Sequence, residues 1–172
     1  MPAWSTPLDR RPGKAHTFAM TTPAFLPTDV RHSLPMALLR AREAVMARFR
    51  PMLDAHGVNE QQWRVLRVLA EAEEIDASEL AARASILAPS LTRMARSMIE
   101  RGLIARRKDA GDARRVLFRL APAGIAVLAA AAPESRAITA AILDEFGADR
   151  AETLIDLLNT LAALTPPALR ET

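Results

Sequence analysis

The residues of this chain whose types and spacing could bind a nucleic acid lie between positions 90 and 115. Short hydroxyl side chains can hydrogen-bond base edges and phosphates, and guanidinium groups can bind guanine or phosphate through two parallel donors. The set comprises Ser90, Thr92, Arg93, Arg96, Arg107, Asp112, Arg114 and Arg115. Such a mixture, with one carboxylate among several cations, predicts a surface that contacts duplex DNA.

The charge of the chain is concentrated in the same region. Residues 83–119 contain ten basic and three acidic residues, a formal charge of +7, whereas the whole chain of 172 residues carries only +3. Residues 120–172 carry −4, from three basic and seven acidic residues. A positive field confined to one segment is the electrostatic footprint of a phosphate-binding face. Taken alone, it would also fit an ordinary solvated surface.

The elements that must position these residues can be predicted from periodicity. The segment 89–102 places apolar residues at the spacing of a core-facing helix, and Gly102 can end that helix in a left-handed conformation. The apolar positions are Leu91, Met94, Ala95, Met98 and Ile99. The segments 103–108 and 115–120 then alternate as two strands of a hairpin. A polar helix start beside an arginine-rich hairpin suits the grooves of DNA.

The segments before and after this region are predicted to be helices. Ser33 and Pro35 suit a helix start, and Pro51 is expected to kink or end that helix. Two further starts carry capping signatures, Asn59 with Gln62 and Asp76 with Glu79. The turn at 85–88 between a short helix and the helix at 89 predicts a helix-turn-helix. After the hairpin, Pro122 and Gly124 open a long helix that is expected to bend at Pro133. Gly147 separates it from a last helix, whose apolar residues are Leu154, Ile155, Leu157, Leu158 and Leu161.

Enzymatic function is not favoured. The chain has no cysteine and no tyrosine, and its histidines at positions 16, 32 and 56 lack metal-ligand spacing. The proline-rich residues 1–30 form an expected disordered tail without the apolar core of a secretory signal. The apolar run at 125–132 is too short to span a membrane. We therefore expect a cytoplasmic protein that is not an enzyme, has no cofactor or metal and does not enter a membrane.

The run SLTRMARSMIERGLIARRKDAGDARRVLFRLAPAG resembles the MarR family of winged helix-turn-helix regulators. Four motifs occur in the order that the family shows. They are Ser90, Thr92 and Arg93; Glu100, Gly102 and Leu103; Asp112 and Arg114; and Leu120 and Gly124. One departure is Ala121-Pro122, where a threonine is usual, so that a hydroxyl cap is lost at a helix start. The segments AREAVM, FRP and EQQWRVLR are similar to the branch that controls homoprotocatechuate degradation (the HpaR branch).

The resemblance implies a mostly α fold with a small β-hairpin wing, and a homodimer formed through the N- and C-terminal helices. The expected domains are a tail at 1–30, a dimerisation helix at 31–57, a winged helix-turn-helix domain at 58–121, dimerisation helices at 122–165 and a C-terminal tail at 166–172. Apolar stripes at both ends of the chain independently favour a dimer. Two recognition helices about 34–36 Å apart then predict a pseudo-palindromic operator.

The resemblance also suggests individual roles. Arg114 is expected in the minor groove, with Asp112 either holding its guanidinium or serving as an ordinary turn residue. Arg107 and Arg115 are expected at phosphates, and Arg93 and Arg96 at guanine or phosphate.

A small aromatic carboxylate such as 4-hydroxyphenylacetate or homoprotocatechuate is the implied effector, which would release a repressor from its operator. Arg42, Trp63 and Arg67 are the candidate ligand residues, because a phenolic acid needs a cation and an apolar slot. Arg42 shares a helical face with apolar residues and is expected to be partly buried. Alternatively, Trp63 belongs to the core and the arginines form structural ion pairs.

Two other functions remain open on the sequence alone. One is an architectural DNA-binding protein that has no small-molecule control and little sequence preference. The other is a dimeric helical adaptor whose basic hairpin docks an acidic protein. Competition between operator and random DNA, with and without phenolic acids, separates all three.

Overall fold

The computed structural model describes residues 33–109, 111–112 and 115–164. The chain divides into two contact units, residues 1–39 and residues 40–172. The described part of the first is Ser33 and the start of one helix, where the Ala37 N–H donates to the Ser33 carbonyl at 2.9 Å. All packing reported below lies in the second unit.

The elements follow the order expected from periodicity, with one addition. The helices are α1 (Leu34–Ala55), α2 (Glu60–Ala70), α3 (Ala77–Arg83), α4 (Ala88–Glu100), α5 (Pro122–Phe146) and α6 (Ala148–Ala162). The strands are β1 (Ile75–Asp76), β2 (Ile104–Lys108) and β3 (Val116–Leu120). The prediction of a mostly α fold with a hairpin wing is confirmed.

The hairpin is part of a three-stranded antiparallel sheet. β3 lies in the middle, with β2 on one side and the short strand β1 on the other. In β1, Ile75 is opposite Phe118 and Asp76 is opposite Leu117. The sequence did not indicate β1, because two residues are too few to show an alternating pattern. The sheet thereby joins the hairpin to the start of α3.

One core holds the helix-turn-helix and the sheet together. Its largest fully buried side chains come from α1, α2, α3, α4 and β2, and they include Met52, Leu53, Leu66, Leu69, Leu80, Leu91, Met98 and Ile104. The stripe predicted on α4 is confirmed, since Leu91, Ala95 and Met98 are buried while Met94 and Ile99 are half-buried. This packing fixes which face of α4 is turned outward.

The helix ends are set by local chemistry. Asn59 and Gln62 form a reciprocal capping box at the start of α2, and Asp76 accepts hydrogen bonds from the Ser78 and Glu79 N–H groups at the start of α3. Gly102, which follows the C-cap Arg101 of α4, has a φ of +67°. These predictions are confirmed, as is the missing side-chain cap at Ala121, where Pro122 opens α5 instead.

Prolines inside two helices do not interrupt them. The prediction that Pro51 could end α1 is wrong, because α1 continues to Ala55. Burial of Met52 and Leu53, which are at most 2% exposed, supports the last turn despite the hydrogen bond that proline removes. Pro133 lies within the continuous helix α5.

Length and composition alone would allow α5 to cross a membrane. In this fold, however, Gly124 and Ala131 of α5 are buried in the protein interior, and Val127, Leu128 and Ile138 pack partly against the core. Most of the other residues of α5 are exposed in this single chain, and one helix that meets these criteria is weak evidence for a membrane segment.

Candidate nucleic-acid interface

The outward face of α4 presents the predicted polar side chains to solvent. Thr92, Arg93 and Arg96 are exposed, and Ser90 is half-buried at the first turn. The helix begins without a side-chain cap at Leu87, so the N–H groups of Ala88 and Ser90 keep their capacity to bind an anion, while Pro89 between them has no N–H. This arrangement suits an approach to a phosphate or base edge from the N-terminal end of α4.

The three polar side chains on this face differ in their existing partners. The Thr92 hydroxyl donates to the Ala88 carbonyl at 3.0 Å, and Arg96 Nε donates to Glu100 Oε1 at 3.1 Å. Arg93 forms no hydrogen bond or ion pair within the described part of the chain. A guanidinium with no protein partner to give up is the strongest candidate for a base contact.

The sheet carries a second set of cations, and these are paired with carboxylates. Arg107 Nε donates to Glu74 Oε1 at 2.9 Å, and its Nη2 also binds Glu74. Arg115 Nη2 donates to Asp76 Oδ2 at 2.8 Å. Both arginine side chains remain about half exposed. The predicted phosphate contacts of Arg107 and Arg115 stay predictions, and the structure assigns both residues an additional role in linking the wing to the start of α3.

The turn of the wing is organised by Asp109. Its Oδ1 accepts the N–H groups of Gly111 and Asp112 at 2.7 and 3.1 Å, and its own N–H donates to the Arg115 carbonyl at 3.0 Å. The predicted minor-groove residue Arg114 lies outside the described residues. The proposed support of Arg114 by Asp112 therefore stays a prediction.

The electrostatics of the wing favour ionised carboxylates. Hydrogen bonds from Arg107 hold the pKa of Glu74 below its usual range. The pKa of Asp76 is lowered by the Glu79 N–H and then by Arg115, and that of Asp109 by the Gly111 and Asp112 N–H groups. A lowered carboxyl pKa stabilises the fold at neutral pH, and this stabilisation is lost as the pH falls through the carboxylate range.

Two variants of Asp76 separate its two hydrogen-bonding roles. Asp76→Asn keeps an oxygen for the helix cap but loses the ion pair with Arg115, whereas Asp76→Ala loses both. We expect the melting temperature at neutral pH to fall in the order wild type, Asn variant, Ala variant. The gap between wild type and the Asn variant should close at acidic pH, where the wild-type carboxyl is protonated. Equal melting temperatures for the two variants would show that the cap contributes nothing.

A second candidate site lies between α2 and α5. Trp63 and Arg67 line a cavity of about 370 Å³ together with Phe49, Ser135 and Thr139. They also line an adjoining cavity of about 270 Å³ beside Leu128 and Arg136. Arg67 forms no hydrogen bond or ion pair within the described part of the chain. A cation beside an indole and a phenyl ring could bind the carboxylate of an aromatic acid.

Arg42 is not among the residues that line these two cavities. Its predicted partial burial is wrong, because the side chain is 48% exposed. The apolar side chains one turn before and after it on α1, Leu38 and Val45, are themselves exposed. Arg42 instead binds Glu60 and Glu43, in a cluster that includes Arg50. Arg42 and Arg50 keep the pKa of Glu60 low although burial opposes its ionisation.

Comparison with known proteins shows which family this chain belongs to. The model of the MarR family matches residues 58–116, which contain α2, α3, α4 and β2 and end at the first residue of β3. The chain is 40% identical to the homoprotocatechuate degradative operon repressor of Escherichia coli, over 132 residues that cover 77% of this chain and 89% of the repressor. The chain belongs to the MarR family.

Solved structures of MarR-family regulators extend this likeness. NadR in complex with 4-hydroxyphenylacetate is 37% identical, with a TM-score of 0.72 and coverage of 81% of this chain and all of NadR. The transcriptional repressor CouR bound to a 23-mer DNA duplex is 26% identical, with a TM-score of 0.68 and coverage of 78% and 96%. The named relatives are transcriptional regulators, which supports the prediction that this MarR-family chain is not an enzyme.

Sequence reasoning did not find the carboxylates that hold the wing. Glu74 and Asp76 lie 33 and 39 positions before their arginine partners. The two carboxylates lie two positions apart, on either side of the apolar Ile75. This spacing would have placed them beside the wing only if the two-residue strand β1 had been recognised. Asp109 was detectable in principle, because aspartate two residues before glycine is a common turn signature.

Proposed function

We propose that this MarR-family chain is a repressor that binds a pseudo-palindromic operator as a homodimer and is released by a small aromatic carboxylate. The observation that carries the DNA-binding part is the outward face of α4, where Arg93 has no partner among the described residues, beside a wing in which carboxylates hold Arg107 and Arg115. As a regulator of this kind it would work in the bacterial cytoplasm and associate with the nucleoid when bound to DNA.

The exposed apolar side chains support the dimer. On α6 they form a nearly continuous surface made by Leu154, Ile155, Leu157 and Leu158, and only Ala151 of that helix is buried. At the start of α1, Leu34 and Leu39 are more than half exposed. A soluble chain seldom leaves such patches open, and a second copy would bury them by symmetry. In this proposal the N- and C-terminal helices form the dimer, and the winged helix-turn-helix between them binds DNA.

The effector part rests on the cavity beside Trp63 and Arg67 and on relatives that are linked by name to phenolic acids. In this proposal the carboxylate binds Arg67, and the ring lies against Trp63 and Phe49. The hydroxyl groups of Ser135 and Thr139, on the opposite wall, can hydrogen-bond a phenol. The ligand lowers DNA affinity only to the extent that it binds the DNA-free form more tightly.

Arg67→Gln tests the effector site. We expect calorimetry with 4-hydroxyphenylacetate to show a loss of affinity of at least about tenfold, because charge-assisted hydrogen bonds contribute about 1.5–3 kcal/mol. Arg42→Gln is the matched control for charge and residue type. If Arg42→Gln weakened binding and Arg67→Gln did not, the ligand would lie at the cluster on α1 instead.

The whole proposal is tested by competition. An operator recovered by selection from a random duplex library is mixed with an excess of random DNA, with and without 4-hydroxyphenylacetate. Preference for the operator and release by the acid are the expected results. Equal binding to both duplexes would favour an architectural protein, and binding to neither would favour an adaptor.

A further inference from the structure

Arg64 on α2 connects the cavity beside Trp63 to the turn of the helix-turn-helix. Its Nη1 donates to the backbone carbonyl of Ser85 at 3.2 Å. Its Nε is buried and has no hydrogen-bond partner among the residues that the structure describes. Buried guanidinium donors are normally satisfied. Arg64 therefore has one donor engaged at the turn and another that a ligand could satisfy.

Ser85 occupies the most constrained position of that turn. Its φ of +52° is the only positive value at a non-glycine residue in the described part of the chain. The residue follows α3 and lies two residues before Leu87, the N-cap of the recognition helix α4. A left-handed conformation is unfavourable for serine and persists only where surrounding contacts impose it. The hydrogen bond from Arg64 is one such contact.

The cavity that Arg64 lines carries positive charge. Arg64, Arg67, Arg83 and Ser85 all contribute to its wall, which has no carboxylate among its lining residues. Arg83 is neutralised by Glu71 at 2.8 Å and, more weakly, by Glu79 at 3.8 Å. An anion in this cavity would therefore be attracted chiefly by Arg67 and Arg64, and Arg64 is the one already bonded to the turn.

We propose that Arg64 is the positioning residue through which the effector is coupled to the recognition helix. A carboxylate in the cavity draws the Arg64 guanidinium towards itself, and the Ser85 carbonyl loses its donor. The turn then relaxes and α4 moves from the orientation that fits the operator. This inference rests on the effector site of the proposed function. It adds a specific hydrogen bond that is broken when the ligand binds.

The first arm of the test needs no ligand. Arg64→Gln removes the charge and shortens the side chain, so the free protein should resemble the effector-bound state. We expect its operator affinity to fall about tenfold, within the usual range of allosteric coupling. Arg64→Lys, which keeps a cation and one donor, should recover part of this loss. Arg150→Gln is the matched control, since it removes one arginine charge on α6 at a residue that does not line the cavity, and it should bind as the wild type does.

Amide hydrogen exchange of residues 85–87 measures the stability of the turn independently of operator affinity. Faster exchange in Arg64→Gln than in Arg150→Gln, with unchanged exchange in the core of α5, is expected. If Arg64→Gln bound the operator as tightly as the wild type, or if exchange at the turn were unaltered, the inference would be overturned whatever the effector does.

The second arm adds 4-hydroxyphenylacetate to each variant. The wild type and Arg150→Gln should lose operator affinity, while Arg64→Gln should bind the acid yet show little further loss. Full release of the Arg64→Gln variant would contradict the coupling. If the wild type did not respond to the acid, the effector part of the proposed function would fail, and the first arm would still decide the role of Arg64 at the turn.

Discussion

Gly124→Ala is expected to lower the free energy of unfolding by about 3 kcal/mol, at the upper end of overpacking costs. A Cβ at this position would lie 2.1 Å from the carbonyl oxygen of Leu103 and 3.1 Å from Cδ2 of Leu66. The oxygen belongs to the backbone and cannot move as a side-chain tip would. It also accepts the Ala121 N–H at 3.1 Å, so shifting it would disturb the junction between the sheet and α5.

Gly102→Ala is the matched control for this prediction. Gly102 has a φ of +67°, but a Cβ there would meet only the Ala123 side chain, at 3.8 Å. The expected cost is therefore the conformational one alone, about 1–2 kcal/mol. Urea unfolding followed by circular dichroism measures both variants. Equal destabilisation would mean that α5 can move away from Leu103 and that the close approach does not determine stability.

Arg93→Ala is expected to reduce operator affinity by roughly 10- to 100-fold, because a lost base contact costs about 1–3 kcal/mol. Affinity for random DNA should fall much less, since a base contact contributes little to non-specific binding. Fluorescence anisotropy with labelled operator and with random duplex, at one salt concentration, measures both effects.

Arg150→Ala is the control for charge, because it removes one arginine at the start of α6, outside α4 and the wing. The guanidinium carbon of Arg150 lies 4.8 Å from the centre of the Phe146 ring. The substitution should leave both affinities nearly unchanged. Parallel losses on operator and random DNA in Arg93→Ala would instead assign Arg93 to a phosphate. An effect of Arg150→Ala as large as that of Arg93→Ala would show that overall charge, rather than the face of α4, determines binding.

The parts of the fold that local chemistry determines could be predicted from the sequence. The stripe on α4, the stop at Gly102 and the caps at Asn59 and Asp76 depend on residues a few positions apart. The family motifs identified the recognition helix α4 because they too consist of residues close together in the sequence. These features survive in any context in which the helix forms.

The parts that depend on distant segments could not be predicted. β1 exists because Ile75 and Asp76 pair with β3, some 40 positions later along the chain. The partners of Arg107 and Arg115 become visible only through that pairing. The exposure of Arg42 has another origin, since its apolar neighbours Leu38 and Val45 on α1 are themselves exposed in this single chain.

The candidate ligand site contains residues that the sequence predicted and residues that it could not predict. Trp63 and Arg67 are one helical turn apart on α2, and their shared cavity agrees with that spacing. Ser135 and Thr139 of the opposite wall lie on α5, about 70 positions away, and no pattern in the sequence linked them to α2. Arg64 was overlooked because its role depends on the Ser85 carbonyl, and backbone groups carry no signal in a sequence.

The most direct measurement of the central claim is selection of binding sites by the purified chain from a random duplex library, followed by titration of the selected site at several salt concentrations. We predict an inverted repeat with half-site centres about one helical turn apart, bound by two chains, with an affinity that falls linearly on a log–log plot against salt. A library without any consensus, a single half-site bound by one chain, or binding that ignores salt would contradict the account.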